Sequence, residues 1–162
     1  MAQASPKGET TGQSVGAQVI LFQVGGKSFA VDLALIEQII DYREPTRTPL
    51  RPPYVEGVLE YRGRYLALVN LRRRFGLTER GPAHPAVLLL SGVGPDPLVG
   101  LVVDQALRVL SLPSEGVLSP PPRVFGIRAE YIRGVANAGG RPIVWLDIVK
   151  VLTATEAITL LA

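Results

Sequence analysis

The segment from Gly57 to Leu71 constrains the fold more than any other part of the chain. Two apolar arms flank the sequence Arg62-Gly63-Arg64. Because a glycine accepts the positive φ of a tight turn, the segment predicts a β-hairpin. Only the glycine is needed for such a turn, and no acidic residue accompanies the two arginines. The arginines therefore favour a second role, such as contact with a docked partner.

Short strands also account for most of the remaining chain. The 17 glycines and 14 prolines mark frequent turns, which suit short strands better than long helices. Asp32 and Asp147 each precede a helical pattern and are predicted to be N-caps. Alternating or apolar runs predict strands at 18–24, 28–31, 39–42, 54–61, 65–70, 86–91, 99–104, 107–110, 132–137 and 142–145. Short helices are predicted at 33–37, at 71–75 and from residue 148 onward.

Two segments repeat one another loosely. Residues 54–75 and 131–152 each contain a Gly-Val step, a glycine turn, a strand and a short helix. The repeat predicts a mainly β chain of two small barrels in tandem, an arrangement that leaves few exposed strand edges. We expect a flexible tail at 1–16, a first lobe at 17–80 and a second lobe at 81–162. The boundary falls in the polar connector 78–85, and loops are expected at 44–53, 92–97 and 113–125.

The composition argues against most kinds of catalytic or metal site. There is no cysteine, and the single histidine, His84, lies in a Pro-rich stretch where a solvated loop residue is the simplest interpretation. Asp104 and Asp147 end strands and are interpreted as turn or cap residues. No cofactor, no metal and no enzymatic activity are therefore expected. Without an apolar leader or a run of about 20 apolar residues, we expect a cytoplasmic protein.

Positive charge is concentrated in one region. Between Arg43 and Arg80 there are nine arginines against four glutamates, within a chain whose net charge is +3. Such an excess can steer an acidic partner or can be a solvated face. A basic β-barrel that binds single-stranded nucleic acid is one alternative, with Arg62, Arg64, Tyr61 and Tyr65 as its surface. Aromatic residues make up only 6% of the chain, which counts against it.

Several motifs in order resemble the CheW family of chemotaxis coupling proteins, over about residues 17–160. They are Phe22-x-Val24-Gly25-Gly26-x-x-Phe29-x-Val31, Ile36-Glu37-Gln38-Ile39, Thr48-Pro49-Leu50 with Tyr54-Val55-x-Gly57-Val58, Arg62-Gly63 with Leu68-Val69-x-Leu71-Arg72, Val99-Gly100-Leu101-Val102-Val103-Asp104, and Ile132-x-Gly134. The resemblance implies two SH3-like five-stranded β-barrels with a few short helices.

The same resemblance implies a non-catalytic adaptor in two-component signal transduction. Its partners would be the cytoplasmic tip of methyl-accepting chemoreceptors and the regulatory domain of the histidine kinase CheA, at membrane receptor arrays. Receptor contact is expected at Ile36, Gln38, Ile39 and Arg62. Kinase contact is expected at apolar strand edges, at Gly57 and Val58 in the first barrel and at Gly100, Leu101 and Val102 in the second.

Two residues depart from the pattern of the family. Glu60 stands where the family usually carries Asn, and Asn70 stands where an Asp commonly follows the return strand. Glu60 adds a negative charge beside the expected receptor contact, so the receptor can differ from those of the best-known systems. A CheW-like adaptor of a pilus-motility or other chemosensory array is a second alternative.

Overall fold

The computed structural model describes residues 16–47, 52–91, 98–113 and 117–161. In chain order the strands are β1 (Ala17–Val24), β2 (Lys27–Asp32), β3 (Ile36–Asp41), β4 (Val55–Tyr61), β5 (Arg64–Asn70), β6 (Ala86–Leu90), β7 (Leu98–Val103), β8 (Gln105–Leu112), β9 (Arg123–Val124), β10 (Ile127–Arg128), β11 (Ile132–Ala138) and β12 (Arg141–Leu146). The helices are α1 (Leu71–Arg74) and α2 (Ile148–Thr153), with 3-10 turns at Leu33–Leu35 and Ala129–Tyr131.

All ten predicted strand segments are strands. The short hairpin β9–β10 was not predicted, because strands of two residues are too short to show an alternating pattern. Asp147 caps α2, because its side chain accepts a hydrogen bond from the backbone N–H of Lys150. The predicted cap at Asp32 is wrong, since its carboxylate instead accepts hydrogen bonds from Trp145 and Arg133. The expectations for the tail up to residue 15, for Thr48-Pro49-Leu50 and for the loop at 92–97 lie outside the described residues.

The strands form two five-stranded sheets whose members interleave along the chain. The terminal sheet has the order β11-β12-β2-β1-β8, and the central sheet has the order β3-β6-β7-β5-β4. The predicted division at residues 80 and 81 therefore does not describe the sheets. Parallel pairing of β2 with β12, and of β5 with β7, joins segments that are distant in sequence. Local turn patterns do not report such pairing.

Each sheet curls until its two edges meet at one bridge. Thr46 and Val58 exchange two backbone hydrogen bonds of 2.9 Å, which connect the chain after β3 to β4. Leu118 and Val135 do the same at 2.9 Å, connecting the chain after β8 to β11. Within the described residues each pair of edges is joined by this isolated bridge alone, and each unit is an SH3-like sheet. The predicted mainly β, SH3-like architecture is confirmed.

The sheets share one hydrophobic core. On β6, Leu88 and Leu90 face the terminal sheet, whereas Val87 and Leu89 face the interior of the central sheet. Phe22 and Phe29 enter the shared core from the other side, with their rings 5.8 Å apart. Burying each such side chain contributes about 2 kcal/mol. The inner strands are thus largely buried on both faces, and a partner can reach the sheets at their edges, their turns and the partly exposed start of β7.

Candidate functional site

The turn between β4 and β5 holds an exposed non-glycine residue at positive φ, a conformation that the described chain otherwise shows without glycine only at the partly buried Phe125. Arg62 has φ 51° and Gly63 has φ 77°, a pair of positive values typical of a type I′ turn. The hairpins β1–β2 and β11–β12 place Gly25-Gly26 and Gly139-Gly140 at the same two positions. A left-handed conformation costs a residue with a side chain about 1–2 kcal/mol. The fold therefore does not require the arginine.

Side chains connect this hairpin to β3. Arg64 donates to both carboxylate oxygens of Glu37 at 2.6 and 3.3 Å, and the Gln38 amide donates to the Tyr61 hydroxyl at 3.0 Å. The Tyr61 ring lies 5.1 Å from the Arg62 guanidinium. Arg64 thus has a local partner, whereas the ion pairs found within the described ranges do not include Arg62.

A bulge in β3 gives the two expected isoleucines a common face. The register shifts between Ile36 and Gln38, so that Ile36 pairs with Leu90 and Ile39 pairs with Leu88. Residues that pair directly across two strands have their side chains on the same face of the sheet. Leu88 and Leu90 face the shared core, so Ile36 and Ile39 lie on that face of the central sheet as well. Ile36 packs partly against the core, whereas 46% of Ile39 is exposed.

Strand register extends this face into a continuous apolar row. Ile36, Leu90, Val99, Ala67 and Val58 are successive partners across all five strands of the central sheet. Leu90 and Ala67 are buried, and the other three are partly exposed.

At the hairpin end of the row stand the paired residues Glu60 and Tyr65, and 62% of Tyr65 is exposed. We call the surface formed by Ile36, Ile39, Val99 and Tyr65 the hairpin face, and Val58, which ends the row on the edge strand β4, is not counted in it. Arg62 stands at its corner.

Three of the expected kinase contacts lie in the interior. Gly100, Leu101 and Val102 belong to β7, the middle strand of the central sheet, and all three are buried. The expectation that they form an exposed strand edge is wrong. A Cβ on Gly100 would lie 2.8 Å from a Leu68 methyl and 2.9 Å from a Val87 methyl, so this glycine makes room for core packing.

The other two expected kinase residues lie at the bridge that closes the central sheet. Gly57 is buried, and a Cβ there would lie 2.1 Å from the Thr46 carbonyl oxygen. Val58 uses its backbone N–H and carbonyl in the bridge but leaves its side chain partly exposed. Of the five residues, Val58 alone presents a partly exposed side chain.

Part of the basic excess is used inside the molecule, which the sequence analysis did not detect. Arg72 holds both oxygens of Asp104 at 2.7 and 2.8 Å, and Asp104 also accepts from the Gly25 N–H at 2.9 Å. The predicted turn-or-cap role of Asp104 misses this ion pair, which joins the two sheets. Arg74 is buried as well. The only signal in the sequence is an acid at the end of an apolar strand, far from the arginine.

A polar cleft of about 540 Å³ lies beside α1. In its wall, the buried Glu56 accepts hydrogen bonds from the Tyr42 hydroxyl and from the Asn70 amide. Burial, followed by the bond to Glu56, raises the pKa of the Tyr42 hydroxyl. An aspartate at position 70 would place a second carboxylate against Glu56, and Asn70 avoids that repulsion. The network bonds the hairpin to the closing segment and provides no nucleophile–base pair.

Metal and membrane features were examined over the same ranges. No group of three or more His, Asp or Glu side chains that could hold a metal ion is found among the described residues. His84 is exposed in its loop. None of the helices in the described ranges is long and apolar enough to cross a membrane.

Comparisons with known proteins show the family of the chain. Residues 18–156 match the family model described as "CheW-like domain". The chemotaxis protein CheW of Treponema pallidum is 32% identical over 143 residues, covering 86% of this chain and 84% of the relative. CheW of Klebsiella aerogenes is 28% identical over 156 residues, covering 96% and 93%.

The crystal structure of the scaffolding protein TtCheW from Thermoanaerobacter tengcongensis superposes with a TM-score of 0.76. It is 18% identical, and the match covers 90% of this chain and 99% of that one, so the overall fold is shared. The family-model match over most of the chain, together with these relatives, shows that the chain belongs to the CheW family of chemotaxis scaffold proteins.

Proposed function

We propose that this chain is a non-catalytic adaptor that couples chemoreceptors to the histidine kinase CheA. Membership of the CheW family supports this role. The observation that carries it is Arg62, held exposed at positive φ beside the partly apolar hairpin face. The turn does not require that arginine, since two equivalent turns in this chain use glycine.

The hairpin face suits the tip of a receptor helix. An amphipathic helix binds by laying an apolar stripe into an apolar groove, with charged groups fixing its register. Ile36 and Ile39 supply apolar surface along β3, and Arg62 supplies a charge-assisted hydrogen bond at the corner. Gln38 acts indirectly, because its amide is engaged by Tyr61 and so orients the hairpin against β3.

For the kinase arm, we propose contact through the Val58 side chain at the edge of the central sheet, with Gly57 shaping the backbone beneath it. Gly100, Leu101 and Val102 are not part of the proposal, because they are buried. The adaptor would work in the cytoplasm at receptor arrays. A chemosensory array other than one for chemotaxis would use the same surfaces, and the neighbouring genes would distinguish the two.

The test measures the two arms separately. A receptor signalling fragment and the CheA regulatory domain are each titrated with wild-type protein and with Arg62→Glu. Receptor affinity should fall at least about tenfold, equivalent to about 1.4 kcal/mol, while kinase affinity stays the same. Arg141→Glu is the matched control, because Arg141 begins β12 after the equivalent turn and is also exposed.

Three outcomes would count against the proposal. Equal receptor affinity for Arg62→Glu and wild type would remove Arg62 from the contact. An equal loss in Arg141→Glu would reduce the effect to net charge. Tight oligonucleotide binding with a steep salt dependence would favour the nucleic-acid alternative.

A further inference from the structure

We propose that Arg74 is the residue that fixes the orientation of the two sheets relative to one another. Arg74 ends α1, directly after the last strand of the hairpin, and only 4% of it is exposed. A buried guanidinium normally needs a carboxylate or an equivalent set of acceptors. Here the acceptors are backbone carbonyls that belong to the other half of the molecule.

Arg74 binds the end of α2 and the chain that follows it. Its Nε donates to the carbonyl of Val151 at 2.8 Å, and its two terminal nitrogens donate to those of Ala154 at 2.9 Å and Glu156 at 3.2 Å. The last carbonyls of a helix have no partner within the helix, so they are available acceptors. The Tyr54 ring lies 4.8 Å from the guanidinium carbon. Three separated acceptors suit the rigid fork of arginine and not the single ammonium of lysine.

The segment after α2 is held by both sheets. We call residues 154–161 the strap. Ile158 and Leu160 of the strap are buried in the shared core. The Leu160 N–H donates to the carbonyl of Phe75 at 2.9 Å, next to Arg74 on the central side. The Leu161 N–H donates to the carbonyl of Phe125 at 2.7 Å, in the β9–β10 turn. Arg74 thus anchors a segment that spans the junction.

A second side-chain link across the junction runs from Arg72 through Asp104 to the Gly25 N–H, and it is partly exposed, with 19% and 16% of the Arg72 and Asp104 side chains accessible. Screening by water weakens such a pair relative to bonds made in the interior. The shared apolar core resists separation of the sheets but is not directional, because apolar contact has no preferred angle. Arg74 supplies three directed bonds and is the feature best able to set that angle.

The consequence for function rests on the proposed receptor contact. The hairpin face continues into the shared core through Leu88 and Leu90, so a rotation of one sheet against the other would change the space above Ile36 and Ile39. Arg74 would then act on the receptor arm without touching the receptor.

The experiment measures orientation directly and includes no receptor. Because the chain has no cysteine, spin labels can be placed at Asp41→Cys in β3 and Arg141→Cys in β12, one exposed strand residue in each sheet. Pulsed dipolar spectroscopy gives the distance distribution in the parent and in Arg74→Met, which keeps an unbranched apolar stem but removes every donor. Arg128→Met is the matched control, since Arg128 binds the Glu156 carboxylate of the same strap on the surface.

We expect a broadened or shifted distribution for Arg74→Met and a parent-like distribution for Arg128→Met. Amide exchange at Leu160 and Leu161 should accelerate by about tenfold or more, while Leu88 of the central sheet and Ala30 of the terminal sheet keep their protection. An unchanged distribution, or a uniform loss of protection in both sheets, would overturn the proposal.

Arg74→Lys covers the case in which Arg74→Met does not fold. It keeps one donor and should give a distribution broader than that of the parent. A parent-like distribution for Arg74→Lys would show that the fork is unnecessary and would also overturn the proposal. These readouts are independent of receptor affinity, so failure here and failure of the proposed adaptor role can be told apart.

Discussion

The hairpins β4–β5 and β11–β12 follow one plan but end in different turns. Each has a glycine as the third residue of its first strand, at a shift in strand register, Gly57 in one and Gly134 in the other. Each glycine is followed by a valine that pairs with the segment closing its sheet. Each hairpin then leads into a short helix whose first turn is capped by a side chain, from Asn70 or Asp147.

The turns differ, and the difference separates folding requirements from additions. Gly139-Gly140 satisfies the turn of one hairpin with φ 60° and 81°, whereas the other uses Arg62 at φ 51°. Features present in both hairpins are explained by the fold that both share. A strained, exposed arginine present in only one of them needs another explanation. The β11–β12 hairpin therefore serves as an internal control for the β4–β5 hairpin.

The largest difference in stability between the two hairpins is expected from substitutions at the glycines beside the bridges that close the sheets. Gly57→Ala should destabilise the protein by about 3 kcal/mol and Gly134→Ala by about 1 kcal/mol. A Cβ at position 57 meets the backbone oxygen of Thr46 at 2.1 Å, whereas one at position 134 meets a side-chain methyl of Val117 at 2.3 Å, which can move. Urea unfolding of both variants gives the two values. Equal losses of unfolding free energy would contradict this prediction, because they would show that both closing segments accommodate an added methyl group equally well.

The helix caps should differ by a smaller amount. Asp147→Ala removes one cap bond and should cost about 1 kcal/mol. Asn70→Ala removes the bond from the Arg73 N–H and also leaves the buried Glu56 short of a donor, so we expect about 2 kcal/mol. Thermal unfolding at neutral pH measures both losses. A larger loss at Asp147 would show that the Glu56 network contributes little.

Exchanging the turn residues should have a modest effect on stability. Gly139→Arg places a side chain at positive φ and should cost about 1 kcal/mol, whereas Arg62→Asn, which suits that conformation, should gain about 0.5 kcal/mol. Receptor binding should weaken only in Arg62→Asn. Chemical unfolding and titration with the receptor fragment test the two halves of the statement. Weaker stability together with unchanged binding in Arg62→Asn would contradict both.

The smallest expected effect is confined to alkaline pH and involves Tyr42, beside Glu56, and Tyr131, in the 3-10 turn before β11. Burial raises the pKa of both Tyr42 and Tyr131 above the usual value of about 10. The folded protein therefore favours the protonated hydroxyls, and their contribution is complete below pH 10 and lost as the pH rises beyond it. Tyr42→Phe and Tyr131→Phe should each reduce the loss of unfolding free energy between pH 9 and 11, roughly the range set by that ordinary pKa. The same alkaline loss in both variants as in the parent would exclude this origin.

Local features of the fold could be predicted from the sequence, and long-range ones could not. Glycine turns and alternating residues gave the hairpins, and the repeated Gly-Val step indicated two similar units. The parallel partners of β2 and β5 are separated from them in sequence by more than one hairpin. The apolar residues of these strands do not indicate which strand they pair with. The order of the strands, and hence the failed division at residues 80 and 81, depends on that missing information.

The candidate site shows the same limit. Arg62 stood out because a turn does not need an arginine, and Ile36 and Ile39 do share one face. Their shared face depends on a bulge that the sequence does not reveal. The run from Val99 to Val103 is apolar throughout, so its pattern could not distinguish an edge strand from the middle strand, and Gly100, Leu101 and Val102 were misplaced. Arg74 looked like surface charge because its acceptors are carbonyls.

The interleaved strand order also makes the two sheets unequal during synthesis. Every strand of the central sheet lies between Ile36 and Val103, so that unit is complete early. The first hairpin leaves the ribosome sooner still, but its neighbours β8 and β12 come much later in the chain. Leu21 and Ala30, whose core neighbours Leu112, Ala136 and Ile143 lie in β8, β11 and β12, must therefore wait with their side chains uncovered until the last third of the protein is made. A nascent chain halted before Gln105 would consist of a folded central unit and an N-terminal hairpin with exposed apolar side chains. Chaperones would encounter the protein in this form.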